Sequence, residues 1–291
     1  MIKQPISCNV CGADDYIKLS SVGEWSIGKC ARCEVIYVNP APFFEPTLEF
    51  SQVSKDFQYT QYMHQTITPE ILRHETQQLL GHLREITRLT GQTLQTPRYL
   101  EVGCGSGASV RAATDLGWQA TGIDIDPELI AAGRQQLQVD LRCVPLLQSG
   151  LPEGAFHFIR LRDVIEHLPD PYDNLRMIRR LLAPGGVALF VTPNEDGLPT
   201  KMRLLLGGVR DRVATVPPPH HLHGFTPQTL NRLLHRAGFK CLAGKTTTPV
   251  DPEYVTSNNM RSRRNPAYVF LWQGARVMGK GSMVVSWVSR P

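Results

Sequence analysis

Residues that could bind a nucleoside follow a short apolar segment near the first third of the chain. An acid and three glycines at every second position occupy Glu101 to Gly107, in the order EVGCGSG. Glycines let the backbone turn tightly and approach a ligand closely, and the helix predicted from Ala108 offers the free N–H groups of its first turn. A second acid, Asp124, ends the next apolar segment, where it could bind ribose hydroxyls. This pattern predicts the nucleoside-binding half of a doubly wound α/β sheet.

Two C-x-x-C pairs stand near the start of the chain. The pairs are Cys8/Cys11 and Cys30/Cys33, with eighteen residues between them. Each pair places two sulfurs on one tight turn, and two facing turns supply the four thiolates of a tetrahedral Zn²⁺ site. Because four thiolates leave no open coordination position, the spacing predicts a structural zinc rather than a catalytic one. The odd total of seven cysteines favours metal binding in a reducing compartment over a disulfide framework.

Three histidines are candidates for a general base. An imidazole can accept the proton of a hydroxyl or an amine near neutral pH. His167 lies four residues after Asp163, a spacing that places both on one face if the segment is helical. His221 and His223 follow three consecutive prolines, which stiffen the approach to them. A hydrogen-bonded structural role remains the alternative for each histidine, and a second metal site built from them is not favoured.

The elements that must position these residues alternate between strands and helices. Apolar runs predict strands at residues 99–102, 120–123, 139–144, 156–161, 187–191, 239–242 and 282–288. Helical spacing and helix-start residues predict helices at residues 68–91, 108–116, 127–137 and 172–182. The order predicts an α/β fold in which the acids Glu101, Asp124 and Asp163 stand at or just after the carboxyl ends of strands. Ligands bind beyond those ends in open α/β sheets.

The spacing of the glycines resembles motif I of class I S-adenosylmethionine (SAM) methyltransferases, because it is G-x-G-x-G rather than G-x-G-x-x-G. A bacterial family of these enzymes carries further motifs that match this chain. They are a Glu-His-Leu-x-Asp-Pro stretch (Glu166 to Pro171), a Pro-Gly-Gly turn (Pro184 to Gly186), Pro193-Asn194, a His-x-x-x-Phe-Thr segment (His221 to Thr226) and Ala237-Gly238-Phe239. The members with two N-terminal C-x-x-C knuckles match best, from about Cys8 to the end of the chain.

The resemblance implies a fold, cofactors and site residues. The fold would be a Rossmann-like, seven-stranded doubly wound sheet with an antiparallel last strand, preceded by a small N-terminal zinc-binding module. SAM and structural Zn²⁺ would be the cofactors. The residues implied to bind SAM are Glu101, Gly103, Cys104, Gly105, Gly107, Asp124, Ile125 and Asp163.

The chain departs from the family at two positions and lacks one acid that the family usually has. His157 stands where the family usually has Asp, and Arg162 stands where an aromatic residue is frequent. Both positions lie near the cofactor edge in the family. The acid that usually follows the third strand and meets the adenine amino group is also missing. The contact with adenine and the substrate preference therefore stay open.

Length and composition predict how the 291 residues are organised. We expect a four-cysteine module at residues 1–45, a linker and helical cover segment at 46–95, and the SAM-binding domain at 96–291, with insertions near 197–219 and 250–277. No secretory signal and no apolar run long enough to span a membrane is visible, so the sequence predicts a cytoplasmic protein.

The positive charge of the chain is uneven. The net charge is +5, and it arises in the last fifty residues. A solvated surface is the ordinary explanation, and a basic rim for an acidic substrate, an anionic membrane or nucleic acid is the alternative. The apolar stretch from Tyr268 to Trp272 could form core packing, a lid, or a surface in peripheral contact with a membrane or a partner. The oligomeric state is open.

Four functions are compatible with these residues. The first is O-methylation of a small molecule, glycan or lipid-linked intermediate in a biosynthetic pathway. The second is methylation of carbon or nitrogen in a natural-product intermediate. The third, an RNA methyltransferase that binds through its zinc ribbon, is disfavoured because the charges from Cys8 to Cys33 cancel. The fourth is a non-catalytic scaffold that binds SAM.

Overall fold

The computed structural model describes residues 2–43, 67–198, 200–201, 216–248, 272–275 and 277–291. Most of the two predicted insertions, the first part of the predicted linker and nearly all of the segment from Tyr268 to Trp272 lie outside these residues. The chain forms two compact units. We call the first the cysteine unit, which comprises the described parts of residues 2–43, 163–175 and 190–287. The second is the glycine-loop unit, with residues 67–162, 176–189 and 288–291.

Strands and helices alternate through most of the chain. The strands are β1 (Ile2–Gln4), β2 (Tyr16–Val22), β3 (Trp25–Cys30), β4 (Ile36–Val38), β5 (Ala41–Phe43), β6 (Arg98–Val102), β7 (Gln119–Asp124), β8 (Leu141–Cys143), β9 (Phe156–Arg162), β10 (Leu182–Pro193), β11 (His223–Gly224), β12 (Lys240–Thr247) and β13 (Met283–Ser289). The helices with complete bounds are α1 (Pro69–Thr90), α2 (Ala108–Asp115), α3 (Pro127–Leu137), α4 (Pro171–Leu181) and α5 (Pro227–Arg236). Single 3₁₀ turns cover Leu146–Gln148 and Ile165–His167.

The large sheet confirms the predicted fold. Within the described chain it has seven strands in the order β12-β13-β10-β9-β6-β7-β8. β6 pairs in parallel with both β7 and β9, and β7 pairs in parallel with β8. The last strands are antiparallel, as the resemblance implied. The register places Glu101 beside Gly122 on one side and beside Arg160 on the other.

The bounds of β8 and β10 differ from the prediction, and β12 extends to Thr247 instead of ending near residue 242. β8 has three residues, because Gln138 adopts a left-handed conformation (φ 54°) at the end of α3 and the chain is still turning there. β10 begins at Leu182 rather than at Val187, since α4 ends at Leu181 and the chain enters the strand without a separate turn. Gly185 (φ 73°) lies inside this strand. Periodicity alone does not reveal such local conformations.

Local sequence signals fix α1, the long helix of the glycine-loop unit. The Thr68 hydroxyl accepts a hydrogen bond from the Ile71 N–H at 3.3 Å, and Pro69 occupies the first turn. Gly91 (φ 73°) ends the helix in a left-handed conformation. The buried face holds residues at helical spacing, namely Glu75, Gln78, Leu79, His82 and Ile86. The polar members of this face lie against the sheet, which matters for the site described below.

A small antiparallel sheet forms the core of the cysteine unit. Its strand order is β11-β4-β3-β2. β2 and β3 form a hairpin, and β3 buries Trp25, Ile27 and Cys30. β11 comes from a distant part of the sequence and pairs antiparallel with β4. Among the described helices none is long and apolar enough to cross a membrane.

Candidate functional site

The glycine loop between β6 and α2 has a conformation that glycine adopts easily. Gly103, Gly105 and Gly107 have φ angles of 72°, 52° and 85°, which are left-handed values. Gly107 directly precedes α2 as its N-cap. The alternation predicted from the sequence therefore produces a backbone turn that leads into a helix N-terminus, an arrangement suited to polar ligand groups.

Close packing holds this loop in place from two sides. A Cβ on Gly122 would lie 2.8 Å from Cys104 Sγ, and a Cβ on Gly133 would lie 2.3 Å from the Ser106 carbonyl oxygen. A Cβ on Gly107 would lie 2.7 Å from a methyl carbon of Leu141. The loop backbone thus lies closer to β7 and α3 than any side chain would allow, and its shape is fixed before a ligand arrives.

Asp124 lies beside the loop as predicted. Its Oδ2 accepts the Gly105 N–H at 2.7 Å, and its Oδ1 accepts the Asp126 N–H at 3.0 Å. A carboxylate offers about four lone-pair sites, so acceptor capacity remains for ribose hydroxyls. Burial raises the pKa of Asp124, and the two N–H donors partly offset that effect. Asp126 separately caps α3 through the N–H groups of Glu128 and Leu129.

Cys104 and Ile125 complete this part of the site. Cys104 packs against Val110, Ile130 and Leu141, as expected of a small side chain in the motif. Burial raises the pKa of the Cys104 thiol well above its ordinary value, and the charge of Asp124 raises it further. The residue is therefore a neutral thiol rather than a nucleophilic thiolate. Ile125 follows Asp124, and its carbonyl oxygen lies 3.8 Å from Cys143 Sγ.

Glu101 takes part in a buried ion-pair network that the sequence did not predict. Arg160 Nε lies 3.0 and 2.8 Å from the two Glu101 oxygens, and the Tyr99 and Ser109 hydroxyls donate to the same carboxylate. Arg160 also donates to Glu75 of α1 at 2.9 Å. Glu101 is 4% exposed. Its oxygens thus have strong protein partners, and its predicted contact with SAM stays a prediction.

Arg162 extends the same network towards the end of β9. It donates to Glu75 at 2.8 Å and to Gln78 at 2.8 Å. Burial raises the pKa of Glu75, but the charges of Arg162 and Arg160 and their hydrogen bonds outweigh it and hold that pKa below its ordinary value. Two carboxylates thus balance two guanidinium groups. The aromatic residue frequent at position 162 in the family is replaced by a cation with a structural partner.

The expectation that His157 lies near the cofactor edge is wrong. His157 is the second residue of β9, and its Nδ1 accepts the N–H of Arg98, the first residue of β6, at 2.9 Å. Both residues stand at the amino ends of their strands, opposite the carboxyl ends where ligands bind. The expectation rested on the family motif alone. It did not take into account that β9 continues to Arg162, five residues beyond His157.

Two of the predicted histidines meet in the cysteine unit. The rings of His167 and His221 lie 4.7 Å apart, edge to face. His167 Nδ1 lies 2.6 Å from the His220 carbonyl oxygen. A carbonyl oxygen only accepts, so Nδ1 carries the hydrogen and Nε2 of the neutral ring is an acceptor. Asp163 precedes this segment with a left-handed conformation (φ 56°), and its N–H donates to the Val191 carbonyl oxygen at 2.9 Å.

Glu166 joins these two histidines, although the sequence had offered it only as part of a motif. It is 1% exposed. Its Oε2 accepts the Thr192 hydroxyl at 2.9 Å, and its Oε1 lies 4.0 Å from His167 Nε2. Oε1 is buried and has no hydrogen-bond donor among the described residues. One ligand atom each of Glu166, His167 and His221 lie within 4.8 Å of one another.

Burial sets the protonation of this cluster. It raises the pKa of Glu166 well above its ordinary value, with the charge of Asp163 adding to the effect. Burial, together with charge repulsion from His221, lowers the pKa of His167 to about 3. Two neighbouring buried imidazole rings cannot both carry a positive charge at neutral pH. The cluster therefore offers proton-accepting groups rather than cations.

His223 lies apart from His167 and His221. It is 2% exposed, stacks on the Phe225 ring at 5.8 Å between centroids, and has its Nε2 3.5 Å from the Asn9 side-chain nitrogen. Burial lowers its pKa to about 4. This position, inside β11, favours a structural role over that of a base, and its predicted catalytic role stays a prediction.

The four cysteines converge as their spacing predicted. Their sulfur atoms all lie within 4.8 Å of one another, with 3.4 Å between Cys8 and Cys33 and 3.5 Å between Cys11 and Cys30. A tetrahedral zinc site with Zn–S bonds near 2.3 Å has sulfurs ~3.8 Å apart. All four cysteines are free thiols, so the donor set and spacing fit a tetrahedral metal ion.

Comparisons with known proteins agree with the fold. The profile of the family described as a methyltransferase domain matches residues 72–243. The chain belongs to this family, and its sheet is that of class I SAM-dependent methyltransferases. The prediction of a SAM-dependent methyltransferase is thereby confirmed at the level of family and fold.

Curated relatives match a part of the chain. A ubiquinone biosynthesis O-methyltransferase of Xanthomonas campestris pv. campestris is 35% identical over 136 residues, which are 44% of this chain and 56% of that protein. The enzyme of the same name from Xanthomonas oryzae pv. oryzae is 33% identical over 135 residues, with the same two coverages. The chain thus spans little more than half the length of the curated relatives it matches.

Solved structures share the fold at low sequence identity. A SAM-dependent methyltransferase of Thermotoga maritima superposes with a TM-score of 0.52 and 17% identity, covering 83% of this chain and 98% of that chain. Phosphoethanolamine N-methyltransferase 2 of Haemonchus contortus, solved with SAM, gives a TM-score of 0.53 and 15% identity over 94% of this chain and 71% of that chain. At such identities the likeness supports the fold alone.

Proposed function

We propose that this protein transfers a methyl group from SAM to an oxygen atom of a small molecule, glycan or lipid-linked intermediate in a biosynthetic pathway. The observation that carries the proposal is the buried cluster of Glu166, His167 and His221. A hydroxyl group must lose its proton during methylation, and this cluster presents a carboxylate oxygen and an imidazole nitrogen that can take it. The curated O-methyltransferase relatives support the same choice of atom.

The roles within the cluster follow from its hydrogen bonds. The His220 carbonyl fixes the tautomer of His167, which leaves Nε2 as an acceptor that can hold the hydroxyl of the methyl acceptor by a hydrogen bond. Glu166 Oε1, 4.0 Å from that nitrogen, takes the proton of that hydroxyl. Burial and the charge of Asp163 raise the pKa of Glu166 well above its ordinary value, whereas the pKa of His167 is about 3, so the carboxylate is the stronger proton acceptor. His221 lies against the His167 ring and limits its orientation.

The glycine-loop unit would hold the cofactor. The loop N–H groups and the N-terminus of α2 would bind its polar end, and Asp124 would bind the ribose. When bound, SAM would supply a methyl group on a positively charged sulfur, with neutral S-adenosylhomocysteine as the leaving group. Asp163 directly follows β9, which pairs in parallel with β6, the strand that leads into the glycine loop.

Three further assignments belong to the proposal. The four cysteines bind a structural Zn²⁺, supported by their sulfur spacing. The chain belongs to the subset with a Glu-His-Leu-x-Asp-Pro stretch, supported by Glu166 to Pro171. The protein works in the cytoplasm, supported by seven cysteines that are all free thiols.

The test is a methyl-transfer screen with purified protein and labelled SAM. The acceptors are phenols, catechols, sugars and lipid-linked hydroxyl compounds, with amine and enolisable analogues in parallel. We expect a methyl ether as product, and we expect Glu166→Gln to lower kcat about 100-fold while the affinity for S-adenosylhomocysteine is unchanged. The exposed His235→Gln variant serves as the control. Assays run with and without an added first-row divalent cation such as Fe²⁺, because two imidazoles and a carboxylate at this spacing also suit such a metal.

The outcomes separate the alternatives. An N-methyl or C-methyl product would contradict the choice of oxygen. Full activity in Glu166→Gln would contradict the role of the cluster. Binding of S-adenosylhomocysteine without transfer to any acceptor class would favour the scaffold function.

A further inference from the structure

The segment 220–225, which carries His221 and His223, contributes a strand to the sheet of the four-cysteine module. His223 and Gly224 pair antiparallel with Tyr37 and Ile36 of β4. The module therefore does not end with its own hairpin, and its outer strand is supplied by residues more than 180 positions further along the chain. The position of β11 therefore depends on β4, the strand with which it pairs.

A chain of two hydrogen bonds links the same sheet to the backbone of Glu166. The Leu222 carbonyl oxygen accepts the Val38 N–H at 3.0 Å, and the Leu222 N–H donates to the Glu166 carbonyl oxygen at 2.8 Å. Leu222 is 1% exposed. The position of the Glu166 backbone thus depends on a residue that β4 holds in place.

Asn9, inside the first cysteine knuckle, contacts both segments that carry the histidines. Its side-chain N–H₂ donates to the Pro169 carbonyl oxygen at 3.3 Å and lies 3.5 Å from His223 Nε2. Pro169 stands two residues after His167. From inside the first knuckle, the Asn9 side chain therefore reaches the segments after His167 and around His223.

Arg236 binds the backbone of the same knuckle. Its Nη1 donates to the Asn9 carbonyl oxygen at 2.6 Å, and its guanidinium lies 4.1 Å from the centre of the Tyr172 ring. Its Nη2 would lie 3.3 Å from a Cβ on Gly12, so glycine gives the arginine room. The main chain of the knuckle is thus fixed against the ends of α4 and α5, and the Asn9 side chain has a defined direction.

We infer that Asn9 is a positioning residue, which transmits the order of the four-cysteine knuckle to the segments 165–170 and 220–225. The knuckle itself has two internal hydrogen bonds, from Gly12 N–H to Cys8 O at 2.7 Å and from Cys8 N–H to Ala13 O at 2.8 Å. Small cysteine modules gain most of their order from the metal they bind. Metal at the cysteines therefore keeps the histidine segments in register, and this role holds whatever the methyl acceptor is.

The first test compares hydrogen exchange in three metal-loaded, full-length proteins: wild type, Asn9→Ala and Arg32→Ala. Arg32 is the matched control, because it lies inside the second knuckle and donates to Asp15 instead of the histidine segments. We expect amides in residues 165–170 and 220–225 to exchange about 10-fold faster in Asn9→Ala alone, the effect of losing one partly buried donor. Metal content is measured on each sample.

The second readout is the ring ¹⁵N resonances of His221 and His223. A role limited to stabilising the module would leave these resonances in place while metal is bound, whereas a positioning role shifts them in Asn9→Ala and not in Arg32→Ala. Unchanged exchange and unchanged resonances in a metal-loaded Asn9→Ala protein would overturn the inference.

If the Asn9→Ala protein does not retain its metal, the inference is tested by removing the metal from the wild-type protein. We expect exchange in both histidine segments to rise together with exchange in residues 8–13 after chelation, while S-adenosylhomocysteine still binds. Histidine segments that stay protected after the knuckle has lost its protection would overturn the inference as well.

Discussion

Arg160 Nε lies within hydrogen-bonding distance of both carboxylate oxygens of Glu101, at 3.0 and 2.8 Å, in a pair that is almost fully buried. The acid of the glycine motif is thus a structural partner of the neighbouring strand. Since Arg160 also binds Glu75, the pair joins β6, β9 and α1. A buried charge without its partner is costly, so this network should matter for stability as much as for ligand binding.

The first prediction concerns the loss of one partner in this network. Glu101→Gln should lower the free energy of unfolding by about 3 kcal/mol, because it leaves Arg160 buried with less compensating charge. Urea denaturation measures the change. Glu85→Gln is the matched control, since the same substitution there removes an exposed pair with Arg88. Equal effects of the two substitutions would mean that the buried network carries no special weight.

The second prediction concerns the shape of the glycine loop. Gly107→Ala combines a left-handed φ of 85° with a Cβ 2.7 Å from Leu141. It should destabilise the fold by about 2 kcal/mol or more and weaken S-adenosylhomocysteine binding at least about 10-fold. Gly117→Ala has a similar φ of 79° and open space around its Cβ, so it isolates the conformational cost. Calorimetric titration compares the two, and the idea fails if both variants bind alike.

Features set by neighbouring residues could be predicted from the sequence. The glycine loop, the ends of α1 and the two cysteine knuckles depend on residues within a few positions of one another, and each lies where the pattern indicated. The fold class followed because alternating strands and helices leave few arrangements of a sheet.

Features set by distant residues could not be predicted in this way. Arg160 and Glu75 are 85 positions apart, and nothing local to either residue indicates the other. Glu166 was quoted as part of a motif, yet its place beside Thr192 and the two histidines arises from tertiary packing. His221 and His223 likewise lie in different places because only His223 belongs to β11. That strand forms by pairing with β4, near residue 37.

The third prediction concerns the dependence of stability on pH. Burial lowers the pKa of His223 from 6.5 to about 4 in the folded protein. Between these values the unfolded chain binds a proton that the folded chain does not, so the free energy of unfolding falls as pH falls, by at most about 1.4 kcal/mol per pH unit from this residue. His223→Gln should show a shallower fall between pH 6.5 and 4 than wild type. The exposed His235→Gln should retain the wild-type slope, and equal slopes in all three proteins would contradict the burial effect.

The last prediction concerns the metal of the four-cysteine module. Cys30→Ser should lower the zinc content from about one ion per chain to none, because three thiolates and a hydroxyl bind zinc far less tightly than four thiolates. Cys30 is fully buried, whereas Cys241 is exposed and far along the chain, so Cys241→Ser should keep the metal. Mass spectrometry under native conditions measures the zinc content, and thermal unfolding measures the effect on stability.

If the metal sets the order of the sheet of β11, β4, β3 and β2, Cys30→Ser should also lose hydrogen-exchange protection at residues 220–225. Retention of zinc in Cys30→Ser, or its absence from wild type, would show that the converging sulfurs serve another purpose.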